Sequence, residues 1–118
     1  MSAFLPFSPG MTGGTVGLTA AVLMASGAPT AGSATIVAPA NTNAVLVIND
    51  STLLAFVRVC TTPSLTATSA DVPVQPYNGG GGRLLAAPAA TFYVYAIPQA
   101  TLGASANVYF CPGESGIE

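Results

Sequence analysis

The chain has 118 residues, enough for one domain, and 51% of them are hydrophobic whereas only 5% are charged, against roughly 25% charged in an ordinary soluble domain. It contains two arginines, four acidic residues and no lysine, histidine or tryptophan. Catalytic triads, Schiff-base chemistry and histidine-based metal sites are therefore excluded. Two cations are also too few to neutralise the phosphates of a nucleic acid. We expect a folded, non-enzymatic structural or binding protein without cofactor, metal or nucleic-acid partner.

The scarcity of charge has a second implication, because mixed surface charges are what usually keep a small domain dispersed. A chain of this composition is expected to have much of its surface covered by partners. Residues 1–49 carry no charged side chain, so the basic start of a secretory signal is missing. The longest apolar stretch, residues 18–25, is far shorter than the roughly 18 residues of a membrane span. We expect no membrane segment and synthesis in the cytoplasm.

The first predicted element is an extended N-terminal arm over residues 1–14, followed by a single domain over residues 15–118. Two prolines and three glycines within the arm argue against any regular element there. Residues 15–24 then place apolar side chains at every second position. This alternation favours a strand, although the same residues also contain a helical stripe.

The rest of the chain reads as short strands separated by Pro, Gly and Asn. Strands are predicted over 34–38, 43–48 and 52–60, the last two joined as a hairpin through the turn-forming link 49–51. Weaker strands follow over 66–70 and 71–75, where Pro73 places the second at a sheet edge. The glycine tract 79–82 is expected to be a surface loop, and strands follow over 83–87, 91–97 and 104–110. Such a pattern predicts an all-β, antiparallel β-sandwich or jelly roll.

Alternation within the last two strands sorts the aromatic residues. Phe92 and Phe110 fall on the inward-facing set, whereas Tyr93, Tyr95 and Tyr109 fall on the outward-facing set. Outward tyrosines combine apolar rings with polar tips, which suits a subunit or partner interface. The alternative is that they cover the second face of a sheet beneath the chain's own loops.

The chain has two arginines and two cysteines, which are its candidates for specific polar or thiol contacts. Arg58 and Arg83 are the only cations, and each is predicted either to bind a partner carboxylate or to pair with an acidic residue of its own chain, Asp50, Asp71 or one near the C-terminus. Cys60 and Cys111 each end a predicted strand before a proline-containing turn, and we expect free thiols, as in a reducing cytoplasm.

Several segments resemble small structural proteins of tailed bacteriophages. The resemblance rests on the following blocks: Phe4-Leu5-Pro6-Phe7-Ser8-Pro9-Gly10, Val45-Leu46-Val47-Ile48-Asn49, Ala55-Phe56-Val57-Arg58-Val59, Thr66-Ala67-Thr68-Ser69-Ala70-Asp71-Val72-Pro73-Val74 and Val108-Tyr109-Phe110-Cys111-Pro112-Gly113-Glu114. It implies a capsid decoration or cement protein, often trimeric, that sits on the shell of the virion and binds the major capsid protein. The glycine tract and the two cysteines depart from that pattern.

Two alternatives remain open beside decoration. The chain could be a receptor- or glycan-binding module of a fibre or adhesin, or a neck or tail component of the same virion. Within the decoration hypothesis, Phe4, Leu5 and Phe7 form a cluster of large apolar side chains that is predicted to dock on the capsid as an extended segment. The alternative for this arm is that it folds back over its own sandwich or over a trimer neighbour.

Overall fold

Eleven β-strands make up the regular structure, and no helix occurs among the residues that the computed structural model describes, which are 4–9, 11–12, 15–16, 20–27, 29–38, 41–76 and 82–117. For residues 4–9, 11–12, 15–16 and 115–117 the description covers the backbone alone. The strands are β1 (Phe4–Pro9), β2 (Met11–Thr12), β3 (Thr15–Val16), β4 (Ala20–Met24), β5 (Gly32–Val37), β6 (Ala44–Asn49), β7 (Ala55–Cys60), β8 (Val72–Val74), β9 (Arg83–Ala86), β10 (Thr91–Pro98) and β11 (Ala106–Ile117).

The strands form two antiparallel sheets, so the predicted all-β sandwich is confirmed. Sheet I has the order β1-β11-β6-β9, with β4 also paired to β11, and sheet II has the order β5-β10-β7-β8. From β4 onward, consecutive strands alternate between the sheets except at β7 and β8, which pair with each other. Most connections therefore arch from one sheet to the other.

The core lies between the sheets and consists of apolar side chains from both. Sheet I contributes Val22, Met24, Val45, Val47, Val108 and Phe110, and sheet II contributes Ile36, Ala55, Val57, Val74, Phe92, Val94 and Ala96. The alternation predicted for residues 15–24 is present in β4, where Val22 and Met24 are buried and Leu23 is exposed. The inward assignment of Phe92 and Phe110 is likewise confirmed.

The N-terminal segment differs from the expectation of an arm without regular structure. Residues 4–9 form β1, which pairs antiparallel with the C-terminal part of β11, and residues 11–16 contain the short β2–β3 pair. Proline is tolerated at the edge of a sheet and beside bulges, and the register of β1 shifts between Phe4 and Phe7, around Pro6. An edge strand with an irregular register thus accommodates the prolines that argued against one.

The predicted hairpin between β6 and β7 is wrong, because the two strands belong to different sheets. The link between them is built around Asn49, whose side chain is 0% exposed. Its Nδ2 donates to the carbonyls of Leu53 at 2.8 Å and Val74 at 3.0 Å, and its Oδ1 accepts from the backbone N–H of Ser51 at 3.0 Å and lies 2.7 Å from the Ser51 hydroxyl. A buried amide that satisfies polar groups on both sides of the link fixes it as an arch between the sheets.

Two further strand predictions need correction. Residues 66–70 form no strand, because the Asp71 carboxylate accepts from the N–H of Thr68 at 2.8 Å and holds the segment in a turn. Cys111 does not end a strand, since β11 continues to Ile117 with Pro112 opposite Val45. Pro112 lies between the part of β11 that pairs with β4 and the part that pairs with β1, so its missing N–H falls where β11 changes edge partner.

Gly32, the first residue of β5, packs tightly against β4 of sheet I. A Cβ atom added there would lie 2.4 Å from the carbonyl oxygen of Leu23 and 2.8 Å from Val22 Cγ1. We expect Gly32→Ala to lower the free energy of unfolding by about 1–3 kcal/mol, because the backbone must shift to relieve the overlap. Gly103→Ala is the matched control, since nothing lies within 4 Å of an added Cβ at that position. Urea denaturation of both variants measures the difference, and equal midpoints would contradict it.

Candidate interaction surfaces

The outer face of sheet II brings together three of the predicted site residues. Tyr95 lies opposite Arg58 on β7 and opposite Ser33 on β5, and Tyr93 lies opposite Cys60 and Thr35. Side chains that are opposite each other in an antiparallel pair share one face of the sheet. Tyr93, Tyr95 and Arg58 therefore occupy one face, and Tyr109 of sheet I does not join them.

Tyr95 faces outward, as alternation predicted, but it is not exposed to solvent. It points away from the core but is only 2% exposed, and its hydroxyl donates to the carbonyl of Thr62 at 2.6 Å. The connection after β7 thus covers the ring, as in the alternative in which the chain's own loops cover the face. Tyr93, two residues before Tyr95 on β10, is half-buried. No pattern in the amino-acid sequence indicated which tyrosine the loop covers.

A cleft of about 370 Å³ lies beside these tyrosines on the outer face of sheet II. Its lining residues are Ser33, Ala34, Thr35, Pro63, Ser64, Tyr93 and Tyr95. One wall belongs to the loop that Tyr95 holds, in which Ser64 has a φ of 61°, a left-handed conformation that is uncommon for a residue other than glycine. The lining residues are apolar or hydroxyl-bearing and none is charged, so the cleft fits neutral groups.

The Tyr95 hydroxyl is expected to position this wall. Tyr95→Phe removes the hydrogen bond to Thr62 while it keeps the ring, and we expect the free energy of unfolding to fall by about 1 kcal/mol. Amide hydrogen exchange of residues 61–64 should accelerate, because the loop loses its anchor on sheet II. Tyr93→Phe is the control, and equal exchange in both variants would contradict this role of Tyr95.

The outer face of sheet I carries Tyr109 and is mostly apolar, although Asn107 lies opposite Leu23 on the same face. Tyr109 lies opposite Ala21 on β4 and opposite Ile48 on β6. Leu46 lies between Cys111 and Leu84 on the same face. Leu23 of β4 extends this surface and is 57% exposed. We call these seven residues face I, namely Ala21, Leu23, Leu46, Ile48, Leu84, Tyr109 and Cys111. None of them is charged.

The two arginines are placed differently. Arg58 is exposed on β7, beside the buried Tyr95. Arg83 begins β9 at the edge of sheet I, and its Nη1 donates to the carbonyl of Pro73 on β8 at 3.1 Å. Arg83 thus joins edge strands of the two sheets. The predicted binding of a partner carboxylate by Arg58 and Arg83 stays a prediction.

The arm residues are described in part. Phe4, Leu5 and Phe7 belong to β1, whose backbone pairs with β11 of the same chain, but their side chains lie outside the described part of the structure. The docking role predicted for them therefore stays a prediction. The glycine tract lies outside the described residues except for Gly82, which precedes β9.

The described residues offer little to reactive chemistry. Cys60 and Cys111 are half-buried in different sheets and form no disulfide with each other, and the Cys60 sulfur lies 3.6 Å from the carbonyl oxygen of Thr62. Within the described ranges, no group of three or more His, Cys, Asp or Glu side chains is arranged to hold a metal ion. The same ranges contain no helix with the length and hydropathy needed to cross a membrane.

Comparisons of the chain with protein-family models, with curated proteins and with solved structures found no match.

Proposed function

We propose that this protein is a non-enzymatic structural component of a virion that binds the outer surface of a bacteriophage head as a decoration, or cement, protein. Its partner would be the major capsid protein, and copies would also contact each other, as a homotrimer in the form that the resemblance implies. The observation that carries the proposal is face I, a sheet surface of aliphatic, aromatic and thiol side chains without a charge.

Face I supports the proposal because apolar side chains that reach the surface together can mark an interaction site; Ala21 and Leu23 are exposed and the other five residues are half-buried. Leu23 has more than half of its surface exposed, and Tyr109 supplies a hydroxyl on the same face, so the surface offers both apolar area and a polar group. The chain as a whole has only six charged residues in 118. Six charges are too few to keep such a domain well dispersed, and a permanent partner would cover its apolar surface instead.

The mechanism of stabilisation follows from burial. Each copy that contacts two neighbouring capsid subunits buries apolar surface, and separating those subunits exposes it again at about 25 cal/mol per Å². Binding to the assembled shell and not to free subunits stabilises the shell by mass action. Many copies with weak contacts would therefore raise the internal pressure that the shell withstands, without any chemical reaction.

Decoration is tested by adding the purified protein to shells assembled without it. We expect binding in hundreds of copies per particle at regular positions on the outside of the head, and a higher temperature for shell disruption in decorated than in bare particles. Density averaged from particle images gives both the location and the copy number. A dozen or fewer copies at one vertex would replace decoration by a neck or tail role, and no binding would remove the virion proposal.

The cleft on sheet II favours one other function, the binding of a neutral glycan. The half-buried Tyr93 lines the cleft together with Ser33, Thr35 and Ser64, and a site that combines an aromatic ring with hydroxyls can stack on a sugar and hydrogen-bond to it. Glycan-array binding that is lost in Tyr93→Ala and kept in Leu23→Ser would support a fibre or adhesin module. Binding to bare shells that Tyr93→Ala leaves unchanged, without binding to any glycan of the array, would support decoration.

A further inference from the structure

Strand β5 is an edge strand that lacks the features by which proteins usually block sheet edges. It pairs with β10 through six consecutive residues, Gly32 to Val37, without a register shift, and contains neither proline nor a charged residue. Natural edges are usually protected by proline, lysine, bulges or short length. The opposite edge of sheet II, β8, has three residues with Pro73 at its centre. The Arg83 guanidinium donates a hydrogen bond to the Pro73 carbonyl.

The register shows which backbone groups of β5 point away from the sheet. The N–H of Ala38 donates to the carbonyl of Ala90, and this pair continues the β5–β10 ladder, in which Val37 is opposite Thr91. In an antiparallel pair, alternate residues direct both N–H and C=O towards the partner strand. The even-numbered residues of β5 thus face β10. Ser33, Thr35 and Val37 direct their N–H and C=O groups to the other side, where none of the described strands pairs with β5.

We propose that β5 is a self-association edge, at which a second copy of this chain pairs antiparallel through its own β5. With Thr35 on the twofold axis, Thr35 lies opposite Thr35 of the second copy, and Ser33 lies opposite Val37 of the second copy. All three positions then direct their backbone groups across the interface. The two four-stranded sheets become one continuous sheet of eight strands, and no like charges oppose each other.

The side chains on this edge favour a second copy as the occupant. Val37 is 69% exposed, a larger fraction than that of Leu23, the exposed leucine of face I. In the proposed register, Val37 of one copy lies opposite Ser33 of the other, and Ser33 lines the neutral cleft beside Tyr93 and Tyr95. Pairing therefore brings the exposed valine of each copy to the cleft of the other.

This contact is distinct from the docking on a capsid proposed above and does not depend on it. An isologous twofold contact joins two chains only, so it differs from any contact that closes a trimer. If trimers form through other surfaces, the β5 contact would connect two trimers.

The register is tested by cysteine cross-linking in a chain that carries Cys60→Ser and Cys111→Ser. Directly opposite, hydrogen-bonded residues have Cα atoms about 5.5 Å apart, within the range of a disulfide. Thr35→Cys should form covalent dimers on a denaturing gel after oxidation with copper phenanthroline. Val37→Cys alone should not, since its two copies would be roughly 13–14 Å apart, whereas a mixture of Ser33→Cys and Val37→Cys should. Equal cross-linking of Val37→Cys alone and of the other samples, or no cross-linking in any sample, would overturn the proposal.

A second measurement keeps the native cysteines and uses charge. Thr35→Lys places two ammonium groups opposite each other on the twofold axis, and we expect the association constant to fall by at least about tenfold in sedimentation experiments. Thr91→Lys is the matched control, because Thr91 lies on the same face but on β10, one strand in from the edge. Circular dichroism checks that both variants fold. An unchanged association constant in Thr35→Lys, or a protein that sediments as single chains before any substitution, would remove the β5 contact.

Discussion

Replacing Asn49 with leucine is expected to lower the free energy of unfolding by about 3–5 kcal/mol, a large part of the 5–15 kcal/mol typical of a whole domain. Leucine has a similar volume but neither donates nor accepts hydrogen bonds. The carbonyl of Val74 and the N–H of Ser51 would lose their bonds to the Asn49 side chain, whereas the Leu53 carbonyl would lose one bond and keep the one from the Ser51 hydroxyl. Buried polar groups left without partners cost their full desolvation free energy.

Asp50→Ala is the matched control for this variant. Asp50 lies in the same link, but its side chain is exposed, and its backbone N–H bond to the carbonyl of Asn107 does not involve the side chain. We expect a change within about 0.5 kcal/mol. Chemical denaturation followed by circular dichroism compares the two variants with the parent chain. If Asn49→Leu unfolds at the parent's midpoint, the amide does not hold the arch.

The sandwich core was predictable because burial follows a local rule. Residues two apart on a strand share a face, so the position of Phe92 in a run of alternating residues determined that it faces inward, and the same held for Phe110. Pro73 similarly indicated an edge strand because proline lacks the N–H that a central ladder needs, and β8 lies at the edge of sheet II.

The pairing of strands was less predictable because it depends on contacts between distant residues. A short polar link usually makes a hairpin, but Asn49 reaches Val74, 25 residues away, and directs the chain to the other sheet. Proline and glycine after Cys111 indicated a turn, yet β11 continues because Pro112 falls in a gap between two edge strands.

For the candidate surfaces too, local alternation was predictable and contacts between distant residues were not. Alternation placed Tyr93 and Tyr95 on one face, which the register confirms. It could not reveal that the Thr62 carbonyl lies over Tyr95, since that contact joins residues 33 positions apart. Nor could it identify β5 as an open edge, because the order of strands in a sheet is set by the whole chain and not by a segment.

The second large effect is expected on capsid binding and concerns the arm. Changing both Phe4 and Phe7 to serine should weaken binding to undecorated shells by at least about tenfold, since aromatic anchors buried at an interface commonly contribute more than 1–2 kcal/mol each. Serine keeps the backbone N–H groups, so the pairing of β1 with β11 remains available. The double substitution thus tests the side chains without deleting the strand, and deletion of residues 2–13 tests both together.

Leu23→Ser provides the contrast, because Leu23 is an exposed hydrophobic residue on face I rather than on the arm. If the arm is the anchor, the Phe4 and Phe7 variant loses binding while Leu23→Ser keeps most of it. If face I is the docking surface, the order reverses, and the arm serves only to complete sheet I through β1. Circular dichroism and a co-sedimentation titration with bare shells measure folding and binding in the same preparations. Undiminished decoration by the double serine variant would exclude Phe4 and Phe7 as capsid anchors.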